Sequence, residues 1–159
     1  MFRATGCSDM SEIGIQLCAR PIKQKDIKTL KELFDPKDQA YNETCTLYYF
    51  DKDTFINDNQ KYAWGLFDGD EVVSVFTVGW EDLYDAMFVG DVYTKPKYRG
   101  NKYSIKLIEI VLKTLMIRKA VLTYDDNTLI NLYEKIGFVI SDEENRIMTY
   151  TDIRIKGDE

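Results

Sequence analysis

Apolar and polar residues along this chain follow two rhythms, and the change between them comes near residue 95. Ahead of it, Tyr62 to Trp80 (YAWGLFDGDEVVSVFTVGW) reads as two strand-like runs joined at Asp68-Gly69, a dipeptide that favours a tight hairpin turn. A further turn at Glu81 to Asp85 leads into AMFVGDVYT, which extends the hairpin into an antiparallel meander. Beyond it, Ile105, Ile108, Leu112 and Leu115 fall on one helical stripe, with Lys102, Lys106, Glu109 and Lys113 opposite. This spacing predicts a long amphipathic helix ending near Arg118 and Lys119, whose charges suit a helix C-terminus.

The flanks follow the same logic. Ile15 to Ile22 suits a first strand, and Gln24 to Phe34 places Ile27, Leu30, Leu33 and Phe34 on one face of a helix. A second helical stretch is expected after Asp51, around Phe55 and Ile56. VLTY at Val121 to Tyr124 reads as a buried strand, then come a short helix and two strands, around Val139 and over Arg146 to Ile155. A strand, a crossover helix and another strand make one parallel pair, whereas the hairpins before it are antiparallel. The expected fold class is therefore α+β, with a mixed, mainly antiparallel central sheet flanked by helices. Residues 1–16 lack a sustained period and read as an irregular arm or an added edge segment; 17–159 read as one domain.

Composition narrows the chemistry. With 159 residues and 45% apolar content, one domain has a real core and a second has no room. A formal charge of -6 gives a long-range field of the wrong sign for a nucleic-acid backbone or an anionic membrane, and it favours a cationic partner. Histidine is absent, which removes imidazole bases, His-dependent nucleophiles and His-ligated zinc; no metal site is expected. Cys7, Cys18 and Cys45 are odd in number and widely spaced, so they read as free thiols in a reducing compartment. No stretch has the pattern of a signal peptide or the ~20 apolar residues of a membrane helix, so a cytoplasmic protein is expected.

Two motifs carry the functional signal. Val92 to Leu107 (VYTKPKYRGNKYSIKL) reads as a strand entering an NH-rich turn and then a helix, and a helix N-terminus offers unpaired amides and a positive dipole end to phosphates. Asp126 to Phe138 (DNTLINLYEKIGF) reads as a short capped helix with Leu129, Leu132, Tyr133 and Ile136 on its inner face and Gly137 as its stop. Together they resemble the two cofactor motifs of the GCN5-related N-acetyltransferases, which move an acetyl group from acetyl-CoA to an amine. A weaker likeness lies in the opening Ala19-Arg20-Pro21-Ile22. In that family the turn is usually Arg or Gln, two residues, Gly, one residue, then Gly or Ala. Here Arg99 is present, Lys102 replaces the first small residue and Ser104 stands at the second.

The resemblance implies acetyl-CoA as cofactor, with its phosphates on Arg99, Gly100, Asn101, Lys102, Tyr103 and Ser104 and its pantetheine arm paired to the backbone of Val92, Tyr93 and Thr94. Asp126 takes the position where the family commonly has Asn, with Asn127 beside it as a substitute contact or helix cap, and Leu129 completes that side. Tyr133 is implied to be the general acid that protonates the departing thiolate, and a backbone NH near Val92 the donor to the developing oxyanion.

An amine acceptor is an ammonium at neutral pH, with a reference pKa of about 10.4 for lysine, so a base or water chain must take its proton. Asp91 is the first candidate, with Glu81 and Asp82 in reserve. Trp80, Glu81, Asp82, Tyr84 and Asp85 gather aromatic faces and carboxylates in one turn, a surface suited to a cationic small-molecule amine. A protein lysine or N-terminus is the alternative acceptor, and a non-catalytic acyl-CoA-binding or protein-interaction module of the same fold is the alternative function. The oligomeric state, a homodimer included, stays open.

Overall fold

The computed structural model describes residues 7–10, 15–34, 37 and 61–154. In chain order its elements are β1 (Cys7–Met10), β2 (Ile15–Pro21), α1 (Ile27–Leu33), β3 (Lys61–Asp68), β4 (Glu71–Glu81), β5 (Ala86–Thr94), α2 (Tyr103–Thr114), β6 (Lys119–Thr123), α3 (Ile130–Glu134), β7 (Phe138–Asp142) and β8 (Ile147–Thr151). Among the described residues eight strands make one sheet in the order β1-β2-β3-β4-β5-β6-β8-β7. The β5–β6 pair is parallel and the others are antiparallel, the mixed sheet expected from the sequence. The helix anticipated after Asp51 lies outside the described residues.

Each face of the sheet buries its own cluster. On one, Leu30, Leu33 and Phe34 pack with Ile22, Phe67, Val72 and Val75. On the other, α2 inserts Tyr103, Leu107, Ile108, Val111 and Leu112 over Trp64, Leu66, Phe76 and Val78. Fully burying such a side chain contributes about 1.5–3 kcal/mol, so this face fixes α2 on the sheet and with it the turn ahead of α2.

Three expectations are corrected. The buried stripe of α2 is centred on Leu107, Ile108, Val111 and Leu112 rather than running through Ile105 and Leu115; Ile105 is half-buried and Leu115 is exposed. The helix ends at Thr114, short of Arg118 and Lys119, because Met116 turns left-handed at φ 52°. The Ile117 amide then donates to the Leu112 carbonyl (3.0 Å) and the Met116 amide to that of Lys113 (3.2 Å), closing the helix as a glycine would, with no glycine to announce it. Lys119 is thereby freed to open β6. Finally, Cys18 is disulfide-bonded, not a free thiol. Spacing along the chain could not show this; in the β1–β2 ladder the backbone of Cys18 is in register with that of Cys7. The cysteines thus no longer argue for a reducing compartment. Among the described residues no helix is long and apolar enough to cross a membrane.

Candidate active site

The parallel pair is where the sheet opens. β5 and β6 are in register at Met87↔Ala120 and Phe88↔Val121, but β5 runs on to Thr94. On its other edge β5 stays paired with β4, where Thr77↔Gly90 is followed by Val75↔Tyr93. Two residues, Asp91 and Val92, therefore oppose Phe76 alone, which is a β-bulge. Asp91 takes φ 50°, and the Thr77 hydroxyl donates to its carboxylate at 2.9 Å.

Beyond Thr94 the chain makes a short 3-10 turn, Pro96–Tyr98, and enters α2 through two left-handed residues, Gly100 (φ 86°) and Lys102 (φ 60°). Lys102 occupies the place of the family's first glycine. The turn demands positive φ there, and the lysine adopts it although a Cβ disfavours it. No side chain caps α2, so its first-turn amides stay open to a ligand. Arg99 donates through Nε to the Thr94 carbonyl at 3.0 Å, and its guanidinium stands 5.3 Å from the Tyr93 ring. Lys102 approaches Lys135 closely enough that its charge lowers the Lys135 ammonium below its usual range.

A cavity of about 280 Å³ lies here, walled by Thr94, Tyr98 and Arg99, by Gly100, Lys102, Tyr103, Ser104 and Ile105, and by Leu132 from α3. Open amides, Arg99 and Lys102 form a donor set that suits a diphosphate, so the residues fit coenzyme A. Of the residues expected to hold the cofactor, Thr94, Arg99, Gly100, Lys102, Tyr103 and Ser104 share this cavity. Asn101 is turned back onto the Tyr98 carbonyl (3.0 Å), Tyr93 is buried with Phe34, and Val92 and Leu129 pack against the larger core. Asp126, not Asn127, is the cap of the second motif: its carboxylate accepts from the Thr128 amide at 2.9 Å and starts a 3-10 turn, Asn127–Leu129, that runs into α3. Tyr98, Ile105 and Leu132 complete the cavity although the sequence did not assign them to the site; the first two lie within the first motif and Leu132 neighbours Tyr133.

Tyr133 is 7% exposed, its ring edge-on to Phe138 at 6.0 Å, which in turn packs on Tyr150 at 5.6 Å. Gly137 at φ 108° lets the chain reverse there, and a Cβ at that point would meet the Tyr150 ring at 3.3 Å. Among the described residues the Tyr133 hydroxyl has no hydrogen-bond partner and is not a sealed, unsatisfied group. Burial, and then the Asp125 carboxylate, push its pKa above the usual phenol value, so it holds its proton at neutral pH.

The candidate acceptor surface is elsewhere. Trp80 is 45% exposed and donates through Nε1 to Asp82 at 2.7 Å, while Tyr84 stacks on Phe88 at 6.3 Å. Trp80 stands opposite Met87, four residues before Asp91, or about 13 Å along the strand. Glu81, opposite Ala86, is farther still, about 17 Å from Asp91.

A model of the acetyltransferase (GNAT) family matches residues 27–138. No curated protein is similar enough in sequence to match. Among solved structures, the PaiA N-acetyltransferase of Thermoplasma acidophilum in complex with coenzyme A superposes with a TM-score of 0.60 at 16% identity, covering 86% of this chain and 99% of that one. A spermidine N-acetyltransferase SpeG chimera of Vibrio cholerae and hSSAT gives 0.63 at 18% identity, over 85% and 95%. A GNAT family acetyltransferase of Brucella melitensis in complex with acetyl-CoA gives 0.64 at 15%, over 85% and 87%. These likenesses share the fold.

Proposed function

Because the chain belongs to the GNAT acetyltransferase family, whose cofactor is acetyl-CoA, we propose that it acetylates a primary amine on a cationic small molecule. The carrying observation is the cavity at the uncapped start of α2, with Arg99 and Lys102 at its wall and Leu132, the neighbour of Tyr133, closing it. Acetyl-CoA supplies an activated acetyl thioester. Arg99, Lys102 and the first amides of α2 hold its phosphates, and the β5 edge from Val92 to Thr94 guides the arm inward.

We assign the proton steps to Asp91 and Tyr133. Asp91, held by Thr77, takes the proton that the acceptor ammonium must lose before its nitrogen attacks. As the carbon–nitrogen bond forms and the carbon–sulfur bond breaks, the Tyr133 phenol would give its proton to sulfur, and the second proton leaving the nitrogen would restore the phenol. A ladder amide left over at the bulge near Val92 is the donor for the carbonyl oxygen. Glu81, at the far end of the hairpin, is better suited to the acceptor's charge than to its reacting proton, as are Trp80, Asp82 and Tyr84. A substrate engaging both that turn and Asp91 must bridge about 13 Å along the strand, which favours an elongated polyamine over a compact amine.

The test follows thiol release from acetyl-CoA over a panel of polyamines, short monoamines, lysine peptides and neutral amines. Preferential acetylation of polyamines is expected. Turnover confined to neutral amines would overturn the acceptor assignment, turnover of peptides alone would move the function to proteins, and coenzyme A binding with no turnover of any amine would leave a binding module.

A further inference from the structure

We propose that Glu71 is a positioning residue for coenzyme A: its carboxylate draws Lys95, Lys97 and Tyr98 together and so sets the turn that aims Arg99 and the first amides of α2 at the cofactor. The inference rests on the cofactor reading above and adds a residue that neither motif contains.

Glu71 opens β4, immediately after the hairpin turn and far in sequence from the phosphate-binding segment. Lys95 Nζ donates to its Oε1 at 2.9 Å, Lys97 Nζ approaches the same oxygen at 3.2 Å, and the Tyr98 hydroxyl donates to Oε2 at 2.9 Å. The three partners are the first residue after β5 and two of the three residues of the 3-10 turn. The turn's own backbone supplies little to hold it: Tyr98 N to Lys95 O at 2.9 Å, Arg99 N to Pro96 O at 3.2 Å, and the last tie to β4, Lys95 N to Val73 O at 3.0 Å. One carboxylate thus fastens the turn to the start of β4 through both of its oxygens. Tyr98, whose hydroxyl it orients, is itself a wall of the cavity.

A single exposed ion pair contributes little, and Glu71 is 35% exposed. Three charge-assisted or phenolic bonds on one carboxylate fix an orientation that no single pair would. The Lys95 ammonium, with Tyr98 and Lys97, holds Glu71 down at about 2 against the opposing effect of burial, consistent with a carboxylate that stays charged at neutral pH. The arrangement also divides the cations. Lys95 and Lys97 face Glu71, leaving Arg99 and Lys102 to the cavity.

Two consequences of removing the charge oppose each other. Freeing two lysines near the phosphates would strengthen attraction, whereas releasing the turn would misplace Arg99 and the amides. If position dominates, Glu71→Gln binds coenzyme A more weakly, by about tenfold or more, in isothermal titration, with a matching rise in KM for acetyl-CoA. Its kcat at saturating acetyl-CoA stays within about twofold, and Glu71→Asp recovers part of the affinity. Lys95→Met, which keeps the carboxylate but removes one tie, shifts affinity the same way and serves if Glu71→Gln does not fold. Unchanged or tighter binding in a folded Glu71→Gln or Lys95→Met protein overturns the proposal, as does a loss confined to kcat. Failure of the unsubstituted protein to bind coenzyme A removes the cofactor reading itself, and this inference with it.

Discussion

Replacing Tyr133 by Phe removes one oxygen and leaves the ring between Phe138 and the core. The hydroxyl makes no hydrogen bond to a described residue, so its loss breaks none and should change stability by no more than about 1 kcal/mol. In a domain of this size that is a Tm shift of about 2–4 °C. Its catalytic loss should be far larger, because a positioned acid contributes about 10²–10⁴-fold, equivalent to about 3–5 kcal/mol of barrier. Initial rates of thiol release give kcat, and titration calorimetry gives the coenzyme A affinity, expected to stay within about threefold since the proposed phosphate contacts lie on the other motif. The raised phenol pKa fixes the sign of a second readout. The protonated acid persists through neutral pH, so activity that depends on it is level there and declines only as pH climbs past the ordinary phenol value. A Tyr133→Phe protein with kcat within threefold of the original, or one whose deficit lies wholly in KM, would refute the general-acid assignment.

Asp91→Asn should lower kcat/KM by about 10²-fold or more while coenzyme A affinity in titration calorimetry scarcely moves, and turnover within about threefold of the original would clear Asp91 of base duty. Gly137→Ala forces a Cβ into a left-handed residue and against the Tyr150 ring; a cost of about 1–3 kcal/mol should lower Tm by several degrees in a thermal melt, and an unchanged melt would contradict it. Lys102→Gly relieves about 1 kcal/mol of left-handed strain but adds unfolded-state entropy of similar size, so Tm should scarcely move while calorimetry shows weaker coenzyme A binding with a smaller salt dependence; tighter binding would argue against a phosphate role for the lysine. Acid stability follows from Glu71 and Asp152, held at about 2 chiefly by Lys95 and Arg154. Lowered carboxylate values stabilise above the unfolded-state range and lose that contribution as pH falls through the folded-state one, so urea midpoints should be flat near neutrality and decline between about pH 4.5 and pH 2. A midpoint that rises on acidification would reverse the sign.

The meander and the crossover were legible because each rests on local chemistry. Asp68-Gly69 marks a turn whatever surrounds it, and AMFVGDVYT and VLTY carry strand patterning in their own residues. The turn into α2 was equally readable, since amides at a helix start are a property of the backbone. What stayed hidden were three of the five left-handed residues other than glycine among those described, Asp91, Lys102 and Met116, which respectively sit in the β5 bulge, shape the entry to α2 and end that helix. A side chain that tolerates positive φ only because its surroundings hold it there leaves no mark in the sequence.

By itself the sequence determined the family signal, the cofactor motifs and the exclusion of histidine chemistry, all of which depend on which residues are present and on short spacings. Tertiary structure alone decided that Thr77 reaches Asp91, that Glu71 claims Lys95 and Lys97 while Arg99 and Lys102 remain at the cavity, and that the disulfide-bonded Cys18 is in backbone register with Cys7 on the adjacent strand. Each of these pairings joins residues 11 or more positions apart, and sheet register, which sets such distances, is fixed by the packing of both faces together.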